Sequence, residues 1–152
     1  EGLAVIPSDT VPIPDPATEV ISGTADFSVA GTLTDVLTTF LSAGIQTNAI
    51  VYNVTAGIAY YITAVTDNLN LALSPSSAGG AADEYVIYNA ATKACTLYVG
   101  VAGGIIVQMA SQRDAANTDT VTFENVPSSS FLPILVTRVA QATVASKIIA
   151  LW

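Results

Sequence analysis

The chain of 152 residues contains no histidine, one cysteine and four basic residues. Without histidine it lacks the commonest general base, the Ser–His and Cys–His pairs, and most zinc sites. The lone Cys95 cannot close an intrachain disulfide, so the chain is not a disulfide-stapled module. Cys95 falls in the apolar stretch 94–100 and is read as a buried apolar residue, not a reactive thiol. Lys93, Arg113, Arg138 and Lys147 are scattered, which leaves no basic patch to grip phosphates or an anionic membrane. Neither nucleic acid nor membrane is an expected partner. No stretch approaches the roughly 18 uninterrupted apolar residues of a spanning helix. A membrane β-barrel would need evenly spaced alternating strands with aromatic girdles, and these are missing. Neither GxGxxG nor GxxxxGK[ST] occurs, and no EF-hand pattern, so no cofactor or metal is expected. No signal peptide is read at the start.

Charge is scarce. Charged residues are 11% of the chain and the formal net charge is −8, whereas about 25% is typical of a soluble domain. Hydrophobic residues are 51% and the mean hydropathy is +0.57. A monomer so poor in charge clothes its surface badly, while subunits that bury surface against neighbours tolerate it. The apolar excess is therefore assigned to sheet faces, to subunit interfaces, or to both.

The opening segment 1–18 carries Pro7, Pro12, Pro14 and Pro16. Proline favours extended backbone and donates to no ladder, so the segment reads as an extended arm on a sheet edge or on a neighbouring subunit. Residues 21–29 read as a strand. Leu33, Val36, Leu37, Phe40 and Leu41 then recur at i, i+3, i+4, i+7 and i+8, with Thr32 as N-cap and Gly44 just past the end. That spacing predicts one short helix over 32–43. Strands follow at 49–55, 60–66, 69–73 and 84–89, with a turn at Asp67-Asn68 and a surface loop over 75–82. Residues 19–90 are thus expected to form a small SH3-like β-barrel module of five strands and a helix. Further strands are read at 96–99, 105–109, 119–125, 131–139 and 144–152, making 91–152 a C-terminal β domain completed by the arm. Turn signals about every ten residues argue for an all-β chain of two sandwich or barrel modules.

The candidate chemistry is thin. Asp83-Glu84 is the one adjacent acidic pair, but no aromatic sugar platform accompanies it as a glycosidase would need. Asn53-Val54-Thr55 matches the glycosylation sequon inside an apparent strand, and the match is read as accidental. Tyrosine is plentiful. Tyr60, Tyr61, Tyr85 and Tyr88 are either strand filler or a receptor-contact surface.

Two blocks carry a resemblance: AVIPSDTVPIP at 4–14, and TLYVGVAGGIIVQMA followed by TVTFENVPSSSFLPILVTRVAQATVASKIIALW within 96–152. Joined head to tail, they resemble a small family of phage and gene-transfer-agent virion proteins, the spike-base proteins. The matching positions include Pro7, Ser8, Asp9 and Thr10, then Leu97 to Gly100, Asn125 to Pro127, Arg138-Val139 and Ala150 to Trp152. In that family a short linker joins the two blocks. Here a long stretch stands between them and is read as an inserted module. A second departure is AQATVAS at 140–146, which lacks the family's glycine-rich turn. The resemblance implies a non-enzymatic virion structural protein, either capsid decoration (cement) or a head-spike base on the outer surface of a phage head. It would form a homo-oligomer, a trimer first of all, bound to the major capsid protein or other virion proteins. Val5, Ile6, Pro7, Val11, Pro12, Ile13, Arg138 and Trp152 are the interface candidates. A tail or fibre adaptor, or a glycan-binding module using the four tyrosines, is the alternative.

Overall fold

The computed structural model describes residues 1–89, 93–111 and 119–152. The chain is all-β and divides into two compact units: Glu1–Pro16 with Thr92–Trp152, and Ala17–Ala91. In chain order the strands are β1 (Gly2–Ala4), β2 (Glu19–Ala25), β3 (Thr32–Thr34), β4 (Ile50–Asn53), β5 (Ile58–Val65), β6 (Asn70–Ser74) and β7 (Asp83–Tyr88). The series continues with β8 (Cys95–Val101), β9 (Gly103–Met109), β10 (Val121–Val126), β11 (Ser130–Val139) and β12 (Ser146–Leu151). One 3-10 turn, Pro16–Thr18, is the only helical element among the described residues.

The unit Ala17–Ala91 is an antiparallel sheet in the order β2-β7-β4-β5-β6-β3. It curls until its two ends meet at one bridge. There Asp26 N–H donates to the Thr34 carbonyl at 2.8 Å, and Thr34 N–H donates back to Asp26 at 2.9 Å. Alternation sends one face inward, as in Leu71 and Leu73 on β6 and Tyr85 and Ile87 on β7. The core also holds Phe27 stacked on Tyr60, with ring centroids 5.9 Å apart. Asp67 closes the β5–β6 turn by accepting the Asn70 side-chain amide and the Leu69 and Asn70 backbone N–H groups, and these donors, the side-chain amide first, hold its carboxyl below the usual value.

The expected helix over 32–43 is not there. Thr32–Thr34 is a sixth strand, paired with Ala72, Leu71 and Asn70 of β6. The backbone donors that a helix would use are committed elsewhere: Asp35 N–H goes to the Leu69 carbonyl and Phe40 N–H to that of Asn68. Leu33 and Phe40 point into the core, but Val36, Leu37 and Leu41 face outward. The helical spacing was produced by two inward residues and three exposed ones, and β-branched Thr34, Thr38 and Thr39 weaken helix propensity besides. Among the described residues this curled sheet therefore has six strands and no α-helix.

The other unit is an antiparallel sheet in the order β1-β12-β8-β11-β9-β10. β8 is buried on one side through Cys95, Leu97 and Val99. A single residue, Ala102, separates β8 from β9, yet the two are not neighbours. The ten-residue β11 lies between them, pairing through Ser130–Leu132 with β8 and through Arg138 and Val139 with β9. The bend that allows this needs glycine, since a Cβ on Gly103 would sit 2.6 Å from the Ala145 nitrogen. β1 pairs with β12, from Gly2 opposite Leu151 to Ala4 opposite Ile149.

Burial holds the Tyr60, Tyr85 and Tyr88 phenols above the ordinary value of 10.0, and Tyr88 reaches about 12. Asp35 adds to the effect on Tyr85, and the charge of Glu19 adds to that on Tyr88. The folded values lie above the unfolded one, so this stabilisation is complete below pH 10 and is lost as pH rises from there through about 12. Denaturant midpoints measured stepwise should stay level up to about pH 9, begin to fall as the buried Cys95 thiol, raised by burial from 9.0 to about 12, is forced to ionise, and fall more steeply above pH 10. A midpoint still unchanged at pH 12 would contradict the burial of these phenols.

Candidate interaction surface

The Pro-rich arm is fixed to its own unit by a buried polar joint. β8 begins at Cys95, opposite Val136, so it does not cover the edge of β11 beyond that point, and the arm takes its place. Ser8 N–H donates to the Val139 carbonyl at 2.9 Å and Ile13 N–H to that of Thr137 at 2.8 Å. Between these two bonds, Arg138 turns its guanidinium onto the arm, donating from Nη1 to the Asp9 carbonyl at 2.6 Å and to that of Ser8 at 3.3 Å. Ser8 Oγ accepts the Thr10 and Val11 N–H groups, and the Asp9 carboxylate accepts Gln141 N–H. Arg138 is 2% exposed. Its cationic head replaces water with fixed carbonyl dipoles, which makes the loss of any one partner expensive.

The interface candidates therefore divide. Val11, Ile13 and Arg138 are buried inside their own unit, so a second subunit could reach them only if the arm unpacked. Val5, Ile6, Pro7, Pro12 and Trp152 are half-buried, and the Trp152 indole N–H donates to the Lys93 carbonyl. The receptor-surface candidates divide more sharply. Tyr60 and Tyr85 are core residues and Tyr88 is buried edge-on against Tyr52; Tyr61 alone is half-exposed. The four do not form a contact surface, because strand alternation sends most of them inward.

Asp83 and Glu84 point to opposite faces of β7. The buried Asp83 carboxylate accepts Asn53 Nδ2–H at 2.8 Å and Gly80 N–H at 2.7 Å, and so holds the loop before β7. Asn53 is fully buried, and the Thr55 hydroxyl accepts Glu84 N–H, so both functional groups of the sequon are used within the fold. No group of three or more metal-ligating side chains occurs among the described residues, and no described helix is long and apolar enough to cross a membrane.

Two exposed apolar patches remain. The first is the outer face of the sheet in the arm-bearing unit. Register places Ala4, Ile149, Tyr98 and Phe131 in one row across β1, β12, β8 and β11. Tyr98 and Phe131 rings lie 5.2 Å apart, and Phe131 is 66% exposed. Leu135 extends the patch along β11. Gly2, Leu151 and Thr96 form the adjacent row, and neither row contains a charged residue. On the other side Lys147 stands across from Gly100 with a left-handed φ of 53°. Gly100 makes room for it, since a Cβ there would come 2.9 Å from the Lys147 Cβ.

The second patch is the loop over 35–44 in the unit Ala17–Ala91. Val36 is 72% and Leu37 92% exposed, with Leu41 and Leu69 nearby in the exposed set. The loop is pinned from below. Buried Asp35 accepts the Tyr85 hydroxyl at 2.7 Å on one oxygen and Leu37 N–H at 2.8 Å on the other. A recess of about 290 Å³ opens beside it, lined by Thr24, Asp26, Thr34 and Asp35 among others. The sequence reading placed these leucines in a helix core and so missed them. The signal for the sheet face was present in the alternation of Phe131, Pro133 and Leu135.

Comparison with family models, with curated proteins and with solved structures found no match to this chain.

Replacing Arg138 with Met keeps volume and removes both bonds to the arm. It should destabilise the arm-bearing unit by about 2–3 kcal/mol, with a lower Tm and earlier proteolysis within residues 1–16. A Tm unchanged from wild type would show that the joint contributes nothing.

Proposed function

We propose that the chain is a structural protein of a tailed-phage particle, a capsid decoration protein or head-spike base on the outer surface of the head. What supports this is the meeting of the two resembling blocks. Ser8 and Asp9 of the first are held by Arg138 of the second across a buried joint, so three of the positions that carry the resemblance meet in one structural feature. The two exposed apolar patches and the scarcity of charge fit a subunit that works by contact. Its action would be mechanical: apolar area and strand edges bridging neighbouring capsid subunits, as a homo-oligomer, a trimer first of all. It is assigned no catalytic role, cofactor or nucleic acid. The alternative, a tail adaptor or glycan-binding module, loses its main support with the burial of Tyr60, Tyr85 and Tyr88.

Mass spectrometry of purified particles, followed by cryo-EM of the head, tests the proposal. The expected result is many copies on the outer head surface. Absence from purified particles, or a position inside the tail tube, would overturn it.

A further inference from the structure

The two apolar patches differ in shape and in charge. One is a flat sheet row, Ala4–Ile149–Tyr98–Phe131, with Lys147 beside it. The other is a pinned loop that presents Val36, Leu37 and Leu41. Charge is divided between the two units in the same sense. The unit Ala17–Ala91 contains Glu19, Asp26, Asp35, Asp67, Asp83 and Glu84 but no Lys, Arg or His, whereas all four cations of the chain lie in the arm-bearing unit. Asp26 and Asp67 stand next to the loop: Asp26 lines its recess, and Asp67 precedes the Asn68 carbonyl that accepts Phe40 N–H. Side-chain hydrogen bonds, from Ser28 to Asp26 and from Asn70 to Asp67, together with backbone N–H donors, hold both carboxyls below the usual value.

We propose that the flat row around Tyr98 and Phe131 receives the Val36–Leu37–Leu41 loop of a second copy of this chain, with Lys147 facing the carboxylates at the loop's base. Pairing like with like is disfavoured at both patches. Two loops face to face would bring two cation-free units together, and two sheet rows would bring two copies of Lys147 together. The unlike pairing buries apolar area on both sides and sets a cation against anions. Such a contact is heterologous, so each copy offers one loop and one row, and successive copies close into a ring or continue as a chain. The proposal names the self-contact of the homo-oligomer proposed above and rests on that oligomeric reading, but not on the location in a particle.

A heterologous contact makes a prediction that a self-complementary one cannot. Leu37→Asp spoils the loop and leaves the row intact; Phe131→Asp spoils the row and leaves the loop intact. Both residues are exposed, so both variants should fold, which far-UV circular dichroism and Tm verify. By analytical ultracentrifugation, full-length wild type should form oligomers. Each single variant should associate about tenfold more weakly or worse. An equimolar mixture should restore a defined heterodimer, joined by the one intact loop and the one intact row and unable to grow further. Lys147→Glu should weaken association, as should added salt. Wild type that stays monomeric, singles that keep wild-type assembly, or a mixture without heterodimer would each overturn the contact. Whether the chain belongs to a particle is read separately from particle composition, so failure here is distinguishable from failure there.

Discussion

One buried arginine governs the arm-bearing unit. β8 begins at Cys95, opposite Val136, so β11 runs on beyond it, and the backbone of Thr137 and Val139 would otherwise face water or a stranger's strand. The arm fills that edge with two backbone bonds, and Arg138 fastens it between them at the Ser8 and Asp9 carbonyls. A chain with only four cations buries one of them at this joint. Apolar packing alone would hold Val11 and Ile13 against the sheet without fixing their register. Directional bonds to two successive carbonyls fix it. Because the arm begins as β1 on β12 and ends on β11, the joint ties the start of the chain to two strands near its end.

The other unit uses the same device with carboxylates. Asp83 and Asp35 are both buried, and each accepts one side-chain donor and one backbone N–H: Asn53 and Gly80 for the first, Tyr85 and Leu37 for the second. Asp83 shapes the loop that leads into β7, and Asp35 holds an apolar loop out toward solvent. Buried polar groups that are fully bonded specify one conformation, and here they set loops instead of building a reactive centre. With cations confined to one unit, the chain carries an internal asymmetry of charge that its low overall charge conceals.

Strand alternation was legible almost throughout, because period-2 burial is written directly in segments such as 69–73 and 95–99. The all-β class and the turn at Asp67 follow from it. The helix over 32–43 was misread because exposed leucines imitate a buried stripe. Periodicity reports spacing and not which residues are covered. The tyrosines were ambiguous for a related reason: Tyr60 and Tyr85 fall on inward positions that only the register with β4 settles. The arginine joint could not be read at all. Its partners are main-chain carbonyls some 130 positions away, and a carbonyl leaves no mark in the sequence. What sequence did offer was the coincidence of Ser8-Asp9 and Arg138 in two blocks that resemble one family, a pairing without geometry.

The central claim is that the arm is part of the fold of its unit and not an appendage. Native-state hydrogen exchange on the wild-type chain tests this most directly. The amides of Val5, Ser8 and Ile13 donate to Ile148, Val139 and Thr137, and they should exchange with the same opening free energy as core amides of β8 and β12. Exchange of those three amides at the rate of a free tail, while the strand amides remain protected, would contradict the account.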